Sequence, residues 1–141
     1  MDGNDVILER LLVLRDEVAY LKKERSAVAS FYDYQENRRL RKAVERSLQV
    51  AVEACLDIGR RIISREGFRY PETNQDVFRV LAEEGVVSND LLPTLLDMAG
   101  FRNLVVHDYA RIDDASVYGI LRKRLSDFNA FAEAVGSYLE G

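Results

Sequence analysis

One pattern limits this chain more than any other: apolar residues return every three or four positions along most of its length. Leu40, Val44, Leu48, Ala51, Cys55, Ile58 and Ile62 form a single stripe, the spacing of one face of an α-helix. Val52, Leu56 and Ile63 widen that stripe, so this helix is expected to be central and touched on more than one side. Before it, Ile7, Leu11, Leu14, Val18 and Leu21 mark a first helix, with Asn4 as its expected N-cap. After it, Gly67 is the expected stop. FRYPETNQ then reads as a loop, because Pro71 and Asn74 punctuate it. A short helix is expected over residues 75–84, ending at Gly85. Ser88 is the expected cap of a helix running to about Tyr109, with Pro93 tolerated in its first turns. Asp113 and Asp114 are expected to cap the last helix, whose stripe is Val117, Leu121, Leu125, Phe128, Ala132, Val135 and Leu139.

No segment alternates with the period of two that a half-buried strand requires, and Gly and Pro are sparse, at 8 and 2. The expected fold is therefore all-α. It is an up-and-down four-helix bundle with one additional short helix, forming a single domain over 1–141. At 141 residues the chain is long enough to bury its own core. The single cysteine, Cys55, rules out an intrachain disulfide and a Cys-rich zinc site, and its place in the stripe marks it as core. The N-terminal MDGNDVILERLLVLRDE has no basic leading region, and acids interrupt its apolar residues, so it does not read as a signal peptide. No run of about 18 uncharged apolar residues is present. No membrane association and a cytoplasmic location are the expectations.

Charge narrows the partners. A net charge of -4 does not suit a protein that coats nucleic acid indiscriminately. Yet 16 arginines stand against 4 lysines, and the planar guanidinium suits bidentate contact with carboxylate or phosphate. A compositional bias explains the excess equally well. The run RRLRKAVER, residues 38–46, with Arg60, Arg61 and Arg65, has two readings. It is a rim for RNA phosphates, or a solvated face paired with Glu36, Glu45, Glu53 and Glu66; the paired face is preferred. FYDY, residues 31–34, is placed at the start of the long helix and reads as packing or dimer-interface aromatics, with base stacking the lesser reading.

The chain's one histidine lies in FRNLVVHDY, residues 101–109. With Arg102 at zero on a wheel of about 100° per residue, Tyr109 falls about 20° away, Asn103 about 100° and His107 about 140°. Phe101, Leu104 and Val105 take the opposite side. Arg102, Asn103, His107 and Tyr109 thus share one broad face away from the core, and Asn103 and His107, four apart, are placed to touch. Those residue types fit phosphodiester chemistry. Histidine titrates near neutral pH and can take a proton from a ribose 2′-hydroxyl or give one to a leaving 5′-oxygen. Arginine keeps its charge and can stabilise the added negative charge at phosphorus. Neither step needs a metal or a nucleotide cofactor, and Asp113 and Asp114 are better explained as caps than as metal ligands. One histidine does not readily serve as base and acid in the same cleavage, whereas a two-fold homodimer brings a second Arg/His set to one cleft. The bare spacing is a weak signal, and a surface or interface histidine is the plainer reading.

RNLVVHDY, with MAGFRN leading into it, resembles the R-x4-H-x-Y signature of the HEPN superfamily, in its HepT-like branch. ERSLQVAVEACLDIGRRII, residues 45–63, resembles the second-helix motif of the same branch. The resemblance spans nearly the whole chain. It implies a metal-independent endoribonuclease, the toxin of a toxin–antitoxin pair, acting as a homodimer on RNA, tRNA or mRNA. It implies a minimal nucleotidyltransferase as the antitoxin, able to adenylylate the motif tyrosine. Carried onto this sequence, Arg102 and His107 become the catalytic pair, Asn103 a supporting polar residue and Tyr109 the modification site. Glu45 and Asp57, on the long helix, are placed to bond Arg102 or His107 across the bundle, or are surface acids. The competing reading of the whole chain is a non-catalytic helical subunit that binds a nucleotide or a nucleotidyltransferase.

Overall fold

The computed structural model describes residues 3–141; Met1 and Asp2, the start of the domain expected over 1–141, lie outside the described residues. Seven α-helices run through them: α1 (Gly3–Ala27), α2 (Phe31–Gln35), α3 (Arg38–Glu66), α4 (Asn74–Glu83), α5 (Leu92–His107), α6 (Asp114–Lys123) and α7 (Leu125–Glu140). The all-α bundle read from the periodicity is the fold observed. Its rods are α1, α3, α5 and the α6–α7 pair. α3 is the central one, lying along α1 and meeting α2, α4, α5 and α6.

The double stripe of α3 explains that position. Val44, Leu48, Ala51, Cys55, Ile58 and Ile62 are buried, and so are Val52, Leu56 and Ile63. Each fully buried aliphatic side chain contributes about 1.5–3 kcal/mol against the entropy of ordering the chain. Burial pushes the Cys55 thiol well above its ordinary value, as befits a core residue. Asn37 starts α3 by accepting from the Leu40 amide at 3.0 Å. Gly67 ends it in the left-handed conformation, φ 70°, where its amide reaches the Ile63 carbonyl. Gly59 lets α4 lie close, because a Cβ there would stand 2.7 Å from Val77 Cγ1.

Six local expectations are revised. Asn4 lies inside α1 and does not cap it; its side-chain oxygen accepts from Arg65. FYDY forms a separate short helix, α2, capped by Ser30, because Asn37 caps α3 afresh. Phe31 and Tyr34 pack as expected, their rings 5.5 and 5.4 Å from that of Tyr118, whereas Tyr32 is exposed. Ser88 accepts from the Leu91 amide in a turn ahead of α5, which begins only at Leu92. α5 stops at His107, two residues short of Tyr109. The last helix is two helices. Arg124 keeps its bond to the Ile120 carbonyl, but Asp127 donates back to Arg124 over three residues, which restarts the spiral. Leu121, Leu125 and Phe128 stay fully buried across that break, so the periodicity shows one helix. Asp113 caps α6 through the Ala115 amide, whereas Asp114 is that helix's first residue and pairs with Arg41 at 3.5 Å.

Candidate functional site

Three helices hold the residues of interest. Arg102, Asn103 and His107 ride on the C-terminal half of α5, where Phe101 faces the core. Arg102 is half-buried and crosses to α3: its Nε donates to Glu53 Oε2 at 3.1 Å. Its Nη1 donates to Asn103 Oδ1 at 3.3 Å, and that oxygen also accepts from Asn74 Nδ2 at 2.9 Å. Arg60 in turn donates to Asn74 Oδ1. Glu53, Arg102, Asn103, Asn74 and Arg60 form one polar chain that runs from α3 through α5 and α4 back to α3. A guanidinium bonded on two sides keeps few rotamers, so Arg102 is preorganised and not merely present.

His107 occupies the last turn of α5. It is exposed and makes no hydrogen bond or ion pair with any described residue. No hydrogen bond joins Asn103 to His107; the Asn103 Oδ1 is taken up by Asn74 and Arg102. A cleft of about 660 Å³ runs along the opposite flank of α5, walled by Phe101, Leu104, Ile120 and Lys123, and includes neither Arg102 nor His107. His107 is exposed to solvent, whereas Arg102 lies in the seam against α3.

Tyr109 departs most from the wheel. Asp108 leaves helical geometry at φ -154°, and Tyr109 begins a 3-10 turn, Tyr109–Arg111. Off the helix, its ring swings over the start of α3. Tyr109 Oη donates to Glu45, and Lys42 Nζ donates to Tyr109 Oη at 2.7 Å while lying 4.2 Å from the ring centroid. Glu45 is buried, at 5% exposure, while Tyr109 is 42% exposed. The two anchoring carboxylates, Glu45 and Glu53, are eight residues apart on α3, about 12 Å along its axis.

The long-helix acids thus sort differently from expectation. Glu45 bonds Tyr109, neither Arg102 nor His107, and Asp57 pairs with Arg10 and Arg60. Glu53 is the acid that reaches Arg102. In the sequence Lys42 stood only within the basic run, Glu53 only among the acids pairing it and Asn74 only in a loop, none of them assigned to the site. Glu45 carried a signal: it precedes Leu48, Val52 and Leu56 by three, seven and eleven, which places it in a core stripe. No group of three His, Cys, Asp or Glu among the described residues could hold a metal ion. No described helix is long and apolar enough to cross a membrane.

The sequence model of the ribonuclease HepT-like family matches residues 15–135, which takes in both α3 and the whole Arg102–Tyr109 motif. The chain belongs to that family. The expected endoribonuclease stands with this membership, and so does the resemblance to the HepT-like branch. Among its HepT-like relatives, the mRNA nuclease HepT of Shewanella oneidensis is 26% identical over 94% of this chain and 97% of that protein. The tRNA nuclease HepT of Aphanizomenon flos-aquae is 28% identical over 95% of this chain and 90% of that protein. The fold is shared with the solved structure of a tri-AMPylated Shewanella oneidensis HEPN toxin in complex with MNT antitoxin. The TM-score is 0.85 at 24% identity, over 97% of this chain and 99% of that one.

Proposed function

We propose that this HepT-like chain is the toxin of a toxin–antitoxin pair and cleaves RNA as a homodimer, without a metal, at a site built from Arg102 and His107 of both copies. The 2′-oxygen of the target ribose attacks the adjacent phosphorus as one His107 takes its proton. The bond to the 5′-oxygen breaks, and the second copy's His107 gives that oxygen a proton. A 2′,3′-cyclic phosphate and a 5′-hydroxyl are the products. Arg102, held by Glu53 and Asn103, stabilises the charge that builds on the phosphoryl oxygens.

The observation that carries this reading is the contrast on α5. Arg102 is fixed from two sides, while His107, five residues on, is exposed and bonded to no described residue. An imidazole free to meet a substrate, beside a preorganised guanidinium on an open surface, is half of a catalytic cleft. A second copy across a two-fold axis supplies the facing half. The relatives named mRNA and tRNA nuclease support RNA as the substrate class. The AMPylated toxin solved in complex with MNT antitoxin supports a minimal nucleotidyltransferase as partner; in this reading Tyr109 is the residue it nucleotidylates.

The decisive experiment compares purified wild-type protein with His107→Ala on total RNA. Cleavage by the wild type alone, with both proteins dimeric, is the expected result. An active His107→Ala protein overturns the catalytic assignment, and an inactive wild type favours a non-catalytic binding subunit.

A further inference from the structure

Arg38, Arg41, Lys42 and Glu45 follow one another at i, i+3, i+4 and i+7, so one face of α3 presents three cations and an acid. Together with Tyr109 and Asp114 they line a cleft of about 300 Å³. Four observations make this more than a charged surface. Glu45 is buried, and its hydrogen bond comes from the Tyr109 hydroxyl. Lys42 Nζ lies 2.7 Å from the same oxygen. Arg41 pairs with Asp114 through Nη1, yet its Nε is buried without a hydrogen-bond partner. Tyr34 is the neighbouring phenol, but it is fully buried, and its hydroxyl has no partner either. Of the two tyrosines in this corner, Tyr109 is the one that a nucleotide can reach.

We propose that this α3 face is a phosphate subsite built around Tyr109, through which the chain contributes to its own nucleotidylation: Glu45 accepts the phenol proton, and Lys42, Arg41 and Arg38 bind the phosphate. The proposal rests on the reading of Tyr109 as the modified residue. The co-reactant is a nucleoside triphosphate presented by the nucleotidyltransferase partner. Tyr109 Oη forms a bond to the α-phosphorus, and the bond from that phosphorus to the oxygen bridging to the β-phosphate breaks. Pyrophosphate leaves with the electron pair, and the phenol proton passes to Glu45 along the hydrogen bond already in place. Lys42, next to the attacking oxygen, meets the phosphoryl oxygens as charge accumulates on them. The nucleotidyl phosphate, once attached, stays beside three cations. The modified side chain is thereby held against α3, near the last turn of α5 that carries His107.

The test incubates the full chain with its cognate nucleotidyltransferase, magnesium and ATP, and follows intact mass with time. The wild type gains adenylyl units, and Tyr109→Phe gains none. Glu45→Gln reacts about 100-fold more slowly, the worth of a positioned base. Its rate climbs with pH across the alkaline range, since hydroxide must then take the phenol proton, a change that loss of packing would not produce. Lys42→Met slows the reaction about tenfold, the worth of one charged hydrogen bond, and Lys42→Arg restores it. Melting curves check folding, and should Glu45→Gln not fold, the two Lys42 variants carry the test. If Tyr109→Phe blocks labelling while Glu45→Gln and Lys42→Met label at the wild-type rate, the α3 subsite is overturned and Tyr109 modification stands. If the wild type gains no adduct, or Tyr109→Phe gains the same one, the reading of Tyr109 fails and the subsite falls with it.

Discussion

Arg102 of α5 and Glu53 of α3 are joined through Nε and Oε2 at 3.1 Å, across the packing seam between the two helices. The pair is neither deeply buried nor fully solvated, with side chains 21% and 34% exposed. Its contribution to folding is accordingly modest. In the proposed site its part is orientation, since Glu53 holds Nε and Asn103 holds Nη1, which fixes the plane of the guanidinium.

Glu53→Gln keeps the shape of that partner and removes its charge. RNA cleavage is expected to fall about tenfold, the worth of one well-placed charged hydrogen bond. The fall should appear in kcat more than in KM, with the melting temperature little changed. Unaltered single-turnover rates would show that Arg102 needs no help from α3.

The mechanism proposed for Arg102 and His107 uses the RNA's own 2′-hydroxyl. Cleavage is expected to persist in excess EDTA and to leave 2′,3′-cyclic phosphate ends. Enzymatic end-labelling of the products before and after cyclic-phosphate opening reads this directly. A strict magnesium requirement, or 5′-phosphate ends, contradicts the mechanism.

Tyr109→Phe deletes the donor to a buried carboxylate. Glu45 is left 5% exposed without that bond, so the variant should lose about 1–3 kcal/mol of stability. Chemical denaturation measures the loss. Glu45→Leu in the same background, which removes the stranded charge, should recover part of it.

The junction between the preceding loop and α4, where Asn74 lies, has its own pH signature. Arg69 makes two bonds to Asp76 at 2.9 Å and spans to Glu83, and the Glu72 amide also donates to Asp76. The Arg69 guanidinium first, and then that amide, lower the Asp76 carboxyl to about 2. A carboxyl lowered in the folded state stabilises fully above its ordinary value and loses that contribution as pH falls through the lowered one. Thermal stability of the wild type should therefore decline from about pH 4 to about pH 2, in part through Asp76. Asp76→Asn should flatten that decline and cost about 1–2 kcal/mol at neutral pH, a figure held down because Arg69 is 45% exposed.

Much of the bundle was legible in the order of residues because burial on a helix imposes a period. The stripes of α1 and α3, the stop at Gly67 and the short helix before Gly85 were all readable for that reason. Where the period carries through a break, as at Arg124, or where a cap restarts the helix, as at Asn37, apolar spacing alone gave the wrong boundary. The site followed the same division. Arg102, Asn103, His107 and Tyr109 were named from one short motif. The wheel then placed Tyr109 beside Arg102, because nothing in the spacing announces that Asp108 leaves helical geometry.

The sequence by itself determined the helical class, the central helix and the family, since these depend on periodic burial and on residue types at fixed separations. Only the tertiary structure decided which carboxylate serves which partner. Glu45, Glu53 and Asp57 share one helix, yet one receives Tyr109, one receives Arg102 and one turns to Arg10 and Arg60. Such pairings depend on how α5 and its 3-10 turn lie against α3, across separations of 49 and 64 residues, and no local pattern encodes a contact made over that distance.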